Sequence, residues 1–184
     1  MRMSPIHWFG VACLISLAGC YTAGAVVERG EFQDLAARPS ESKVRVATPE
    51  DGTDGKIRYP GSGRLVAEAV RGAVLSTFAD VQVVGLSDRA LCEKRCVEDG
   101  AHLLIIPEIV RWEDHATNWS GIADKIRISV TLVDLADSKL RRITFTAHST
   151  WWNLTDDPPE YMLDDTFRAG VASLLPSVSR PPRP

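Results

Sequence analysis

The chain has 184 residues, with 21 basic and 24 acidic side chains, a formal charge of −3 and an apolar share of 45%. A slightly acidic chain offers no basic face to a phosphate backbone, which excludes nucleic acid as a partner. The length suits one domain with a moderate core, and no apolar run is long enough to cross a bilayer as a helix.

The amino end reads MRMSPIHWFGVACLISLAGC: Arg2, then an apolar run from Trp8 to Leu17, then small residues. That order predicts a secretory signal peptide over residues 1–19. Its close, Leu17, Ala18, Gly19 and Cys20, resembles the bacterial lipobox. The resemblance implies cleavage before Cys20, a diacylglyceryl thioether on its sulfur and an amide-linked acyl chain, with no other cofactor. Each buried CH₂ adds about 0.8 kcal/mol, so several acyl chains hold permanently where one is reversible. Tyr21 stands where enterobacterial inner-membrane lipoproteins carry Asp, which under that sorting rule points to the outer membrane, with the domain in the periplasm. Loss of residues 1–19 removes only Arg2 among the charged groups and leaves 165 residues at a formal charge of −4.

Residues 20–42 lack sustained periodicity and end in ARPSES, which reads as the lipidated cysteine and a flexible tether. The single domain is expected over residues 43–175. KVRVAT alternates as a strand, and PEDGTDGKIRYPGSG is a loop rich in Gly, Asp and Pro. Leu65, Val66, Ala69, Val70, Ala73, Val74 and Phe78 recur at three and four, the stripe of an amphipathic helix with Ser62 as its N-cap. VQVVG is a short strand. A second helix follows, with Ser87 as N-cap and Gly100 as its stop. AHLLIIPEIV carries a continuous apolar run, as a strand buried on both faces does, and Pro107 predicts a bulge or local edge. KIRISVTLVDL puts Ile126, Ile128, Val130 and Leu132 on one face, and LRRITFTAHSTW completes a hairpin with Ile143, Phe145 and Ala147 inward. Asp157 with Glu160 reads as a capping box with Pro158 at the first helical position, ahead of a last stripe of Leu163, Phe167, Val171 and Leu174. Residues 176–184 are a proline-rich tail, expected to be disordered. The order β-α-β-α-β-β-β-α predicts an α/β (α+β) domain with helices on a mixed five-stranded sheet, parallel at its start and antiparallel in its closing meander.

YPGSG precedes a helix in the manner of a phosphate cradle, but the lysine of the full GxxxxGK[ST] pattern is absent, and turn chemistry explains its glycines. No GxSxG elbow or HExxH helix occurs. Between two strands lies RWEDHATNWSG, whose Glu113, Asp114 and His115 suit acid–base or metal chemistry by type. Adjacency opposes it, because neighbouring side chains on an extended segment point apart. No metal site and no catalytic residue is therefore assigned, and an enzyme acting on envelope glycan or lipid through these three is the alternative. Trp112 and Trp119, with Trp151 and Trp152 at the hairpin's end, could gather at one end of the sheet, as an aromatic mini-core or as a lip for a partner. They are the candidate binding surface. Cys92 and Cys96 remain after Cys13 leaves with the signal and Cys20 is acylated; an oxidising compartment would favour a disulfide between them, but helical i, i+4 spacing holds Cβ atoms about 5–6 Å apart, against about 3.8 Å in a disulfide. Asn118-Trp119-Ser120 and Asn153-Leu154-Thr155 match the glycosylation acceptor pattern incidentally.

The stretch WEDHATNWSG, with YPGSG, AHLLIIPEIV and STWW, resembles an uncharacterised bacterial lipoprotein family called domain of unknown function 4823, over about residues 43–175. Trp112, Glu113, Asp114, Ala116, Thr117, Trp119, Ser120 and Gly121 match its pattern, whereas His115 and Asn118 stand where arginine and glutamate are usual. Cys92 and Cys96 fall outside the pattern. The resemblance implies location and fold and supplies no activity. The expectation from sequence is a non-enzymatic, lipid-anchored envelope protein that binds an envelope protein or glycan.

Overall fold

A computed structural model describes residues 22–85, 88–115, 122–149 and 158–179. It is a mixed α/β domain built on a six-stranded sheet. The strands are β1 (Thr22–Phe32), β2 (Lys43–Thr48), β5 (Asp80–Gly85), β6 (Leu103–Glu113), β7 (Lys125–Asp134) and β8 (Leu140–Ser149), and a small hairpin pairs β3 (Thr53–Asp54) with β4 (Ile57–Arg58). Three helices complete it: α1 (Ser62–Val74), α2 (Arg89–Glu98) and α3 (Asp165–Ala172).

As the crossovers require, β2 is parallel to both β5 and β6, and β6, β7, β8 and β1 run antiparallel in turn. From β2 the chain moves outward to β5, then back past β2 to β6. Right-handed crossovers in opposite directions put their helices on opposite faces. The packing agrees. Val44, Val46, Leu103 and Ile105 join α1 and α3 in the main core, whereas Ala47 and Leu104 join Cys92 and Cys96 of α2 in a smaller one. β2 and the first half of β6 are thus buried on both faces, whereas β5, at the sheet edge, buries only Val81 fully. Over β7, β8 and β1, one face carries Ile126, Ile128, Val130, Leu132, Ile143 and Phe145 into the core, while the other is exposed at Arg127, Thr146 and His148 and closes at Thr131 and Val133. Along it Val26, Thr146 and Arg127 form one cross-strand row.

The segment expected to be a tether is a strand from Thr22 onward, so the sheet has six strands instead of five. Ala25 and Val27 pack on the core, Val26 is 56% exposed, and charged residues fill much of the rest. An edge strand with one open face needs so little apolar pattern because the ladder to β8 supplies its order. The tail expectation also fails over residues 176–179. Pro176 is buried, and Arg38 binds Ser177 and Ser179 through the backbone, with an isolated bridge to Val178. Residues 180–184 lie outside the described set.

Helix ends differ by a residue or more from the sequence reading. Ser62 is the first residue of α1, and its cap is Gly61, at φ 91°, where glycine is favoured. Leu65 is exposed, so the buried stripe is Val66, Ala67, Ala69, Val70, Ala73 and Val74. Asp88 caps α2 by accepting from the Leu91 N–H, and Gly100, at φ 71°, follows that helix as expected. The last helix is split: Pro159–Met162 form a 3₁₀ turn, and Asp164 restarts the chain as α3 by accepting from Thr166 and Phe167. Leu163, Phe167, Val171 and Leu174 are all buried. Pro107 lies where β6 leaves β2, whose ladder ends at Val46–Ile105, so the proline sits beside a local edge.

Candidate functional site

Four short segments converge at the end of the sheet where β6 finishes and β1 begins. Trp112, on β6, is 2% exposed and belongs to the core. Gly52 lies against it: a Cβ added there would stand 2.5 Å from the Cβ of Trp112, so only glycine lets the 49–63 connection lie so close. The Gly52 N–H donates to Ser62 Oγ at 2.8 Å, and the Ser62 hydroxyl donates to the Tyr59 carbonyl. Gly63 meets the same constraint, since a Cβ would lie 2.3 Å from the Pro49 carbonyl oxygen.

The amino end of α1 holds an anion supplied by the chain itself. Asp51 Oδ1 accepts from the N–H groups of Gly61 and Gly63, at 3.0 and 3.1 Å. Free N–H groups and the positive end of the dipole draw a carboxylate there. This explains YPGSG without a phosphate: the cradle is occupied by a side chain ten residues upstream of the first glycine it binds.

Beyond Trp112 the acids fasten the chain. Arg111 Nε donates to Glu113 Oε1 at 2.6 Å, and His115 Nε2 lies 3.7 Å from Glu113 Oε2. Burial pushes the Glu113 carboxyl up, but the Arg111 hydrogen bond and the charges of Arg111, Lys125 and His115 outweigh it and hold the group below its usual value of 4.5. A carboxylate held ionised in this way does not serve as a general acid at neutral pH. The exposed Asp114 is gripped through its backbone, its N–H donating to Tyr59 Oη and its carbonyl accepting from the same hydroxyl, both at 3.3 Å. The His115 N–H donates to Asp124 Oδ1 at 2.7 Å, and Asp124 is tied to Ser149 by the pair Asp124 N–H to Ser149 Oγ and Ser149 N–H to the Asp124 carbonyl.

The sequence-predicted residues therefore divide. Trp112 leaves the candidate surface because its ring is core. Trp119, Trp151 and Trp152, and with them Thr117, Ser120 and Gly121, lie outside the described residues, as do Cys20, Ser87 and Asp157. Glu113 and His115 meet, with an arginine on the carboxylate. Asp51, Tyr59 and Asp124 were missed, because each acts on groups 9 to 55 residues away that the fold brings near; Arg111 was also missed, although i, i+2 residues on one strand share a face and its pairing with Glu113 could have been read from spacing.

Cys92 and Cys96 are free thiols, both buried. The helix runs unbroken through both, and i, i+4 spacing on a regular turn keeps them too far apart to bond. Burial, then the neighbouring Cys92, pushes the Cys96 thiol up to about 11. The pair lines a groove of about 370 Å³ with Arg45, Gln82, Val84 and Asp99. Arg45, itself buried, is satisfied there by Asp99 and Asp80 and by the Val44 carbonyl. A second cleft of about 470 Å³ runs beside Pro107 and is lined by both signs of charge, among them Glu50, Glu108, Arg89 and Arg142. Among the described residues no cluster of His, Cys, Asp and Glu suits a metal ion, and no helix is long and apolar enough to cross a membrane.

The sequence matches the family model for a domain of unknown function, DUF4823, over residues 37–174. No curated protein matches it. Among solved structures, the PelC dodecamer from Paraburkholderia phytofirmans has the same fold at 12% identity, with a TM-score of 0.58 over 82% of this chain and 94% of that one. A variant of that dodecamer gives 0.60 at 13% identity, covering 82% and 98%. The lipoprotein GNA1162 from Neisseria meningitidis aligns at a TM-score of 0.40 and 11% identity, over 72% and 96%.

Proposed function

Because the chain belongs to the DUF4823 family, we propose that it is a lipid-anchored envelope protein with no catalytic role of its own, whose α/β domain engages an envelope protein or glycan from the periplasmic side of the outer membrane. The observation that carries this reading is the apolar run ending in Leu-Ala-Gly-Cys at Cys20, two residues ahead of the first strand of the fold. The ends of the molecule add support of a second kind, since the acids of the tryptophan-rich motif fasten the chain. Trp119, Trp151 and Trp152 stay in the proposal as contact residues, and Trp112 does not.

The PelC proteins that share this fold are dodecamers, so a further copy of the chain is the protein partner to test first. Two measurements test the proposal. Cys20→Ser should leave an unprocessed precursor, larger by residues 1–19, that takes up no labelled palmitate; processing and acyl labelling like those of the wild type sink the anchor. Cross-linking in intact envelopes, followed by mass measurement of the captured species, should return a defined complex or a peptidoglycan or polysaccharide adduct. A monomer with no adduct counts against partner binding.

A further inference from the structure

We propose that the end of the sheet where β1 begins is a lipid-contacting surface, so that the domain sits on the bilayer with its strands rising from it. The inference rests on the lipid anchor of the preceding section and goes on to orient the domain. Only Tyr21 lies between Cys20 and Thr22, so the two are two residue steps apart, and a fully extended backbone spans at most about 3.6 Å per step, which keeps the anchor within about 7 Å of the first residue of β1. Even if the irregular first pairs frayed as far as Ala25↔Ala147, the reach would grow only to about 18 Å. Thr22 is paired with Ser149, and Ser149 is bonded to Asp124, so these residues are fixed at the same end as the anchor.

What stands at that end suits a headgroup boundary. Ile122 is 50% exposed and Lys125 is exposed at the start of β7, an aliphatic group beside a cation on a flexible stem. Two of the acids there are engaged within the protein, Asp124 by the His115 N–H and Glu113 by Arg111. The opposite end carries the exposed β7–β8 turn at Asp137. Leu140 and Ser149, the two ends of β8, are nine residue steps apart, which at about 3.4 Å each makes a distance of about 30 Å.

The test uses the full lipidated protein in vesicles of phosphatidylethanolamine and phosphatidylglycerol. Ile122→Cys and Asp137→Cys are each labelled with an environment-sensitive fluorophore, and quenching is read from lipids carrying a headgroup nitroxide. The native thiols are buried and Cys96 is held protonated; wild type labelled in parallel confirms that they stay silent. We expect several-fold stronger quenching at position 122 than at 137. Equal quenching, or the reverse order, overturns the proposal. Flotation of the same samples separates the two levels: protein that does not float lacks the anchor and falls with the earlier reading, whereas protein that floats without contrast defeats the seating alone. Inserting ten Gly and Ser residues between Tyr21 and Thr22 adds a root-mean-square reach of roughly 17 Å, and it should erase the contrast while flotation persists. A contrast that survives the insertion overturns the tether argument.

Discussion

Trp112 closes one end of the sheet by contact: Gly52 lies on its Cβ, the 49–63 connection folds over it, and Asp51 holds the start of α1. The other end is closed by charge. Arg38 places an N–H group 2.6 Å from each oxygen of the buried Asp134, Asp134 also accepts from the Ala136 N–H, and Arg141 donates to the carbonyls of Leu174 and Leu175. The first end depends on the absence of atoms at two glycines, and the second on pairing a carboxylate that water does not reach. Contact forces fall off within an ångström or two and cannot be screened, so the packing of Gly52 on Trp112 should be intolerant of added or removed volume and indifferent to ionic strength, whatever salt does to the Arg111–Glu113 pair beside it.

Four measurements would break or sharpen this contrast. The largest effect is expected for Trp112→Ala, a loss of about 3–5 kcal/mol in urea unfolding, the usual cost of emptying a buried aromatic site; a loss under about 1 kcal/mol would show that the ring is peripheral. Asp134→Asn should cost about 2–3 kcal/mol, below the range for a fully buried pair because Arg38 is partly exposed. Its penalty should persist in molar salt, and a penalty that vanishes there would mark the pair as a surface bridge. Asp51→Ala should cost about 1–2 kcal/mol as a lost helix cap, with the loss concentrated in amide protection of the first turn of α1 measured by hydrogen exchange. The smallest effect belongs to Glu113. Its carboxyl is depressed in the folded state, so the stability it contributes is fully present above the unfolded value of about 4.5 and is lost as the pH falls through the lower folded value. Wild type and Glu113→Gln should therefore differ by a constant amount near neutral pH and converge as the pH falls from 4.5 through the lower folded value; parallel curves throughout would show that Arg111 does not hold the charge.

Periodicity made the centre of this fold legible and left its margins obscure. The three parallel strands and the meander followed from continuous or alternating apolar runs, which burial on two faces or one produces directly. β1 was hidden because Gly24, Glu28, Gly30 and Glu31 are poor strand formers in isolation, and the ladder to β8 decides their conformation. Caps were misplaced by one residue where Ser stood beside a better-placed Gly or Asp, as at Gly61 and Asp88. The burial of Glu113 beside an exposed Asp114 in RWEDHATNWSG was legible from spacing, since adjacent side chains on a strand point apart. Asp51 was not, because a carboxylate reaching ten residues along the chain leaves no local signature.

The pairing of β1 with β8 also sets an order in time. Thr22 opens the first strand, yet its partner Ser149 comes 127 residues later. Closing a loop of that length carries an entropy cost on the order of 4 kcal/mol. A chain emerging amino end first has β1 without its ladder until nearly the whole domain has been made, so a product ending before Leu140 leaves that strand with an open hydrogen-bonding edge, which under the proposed anchor would lie at the membrane.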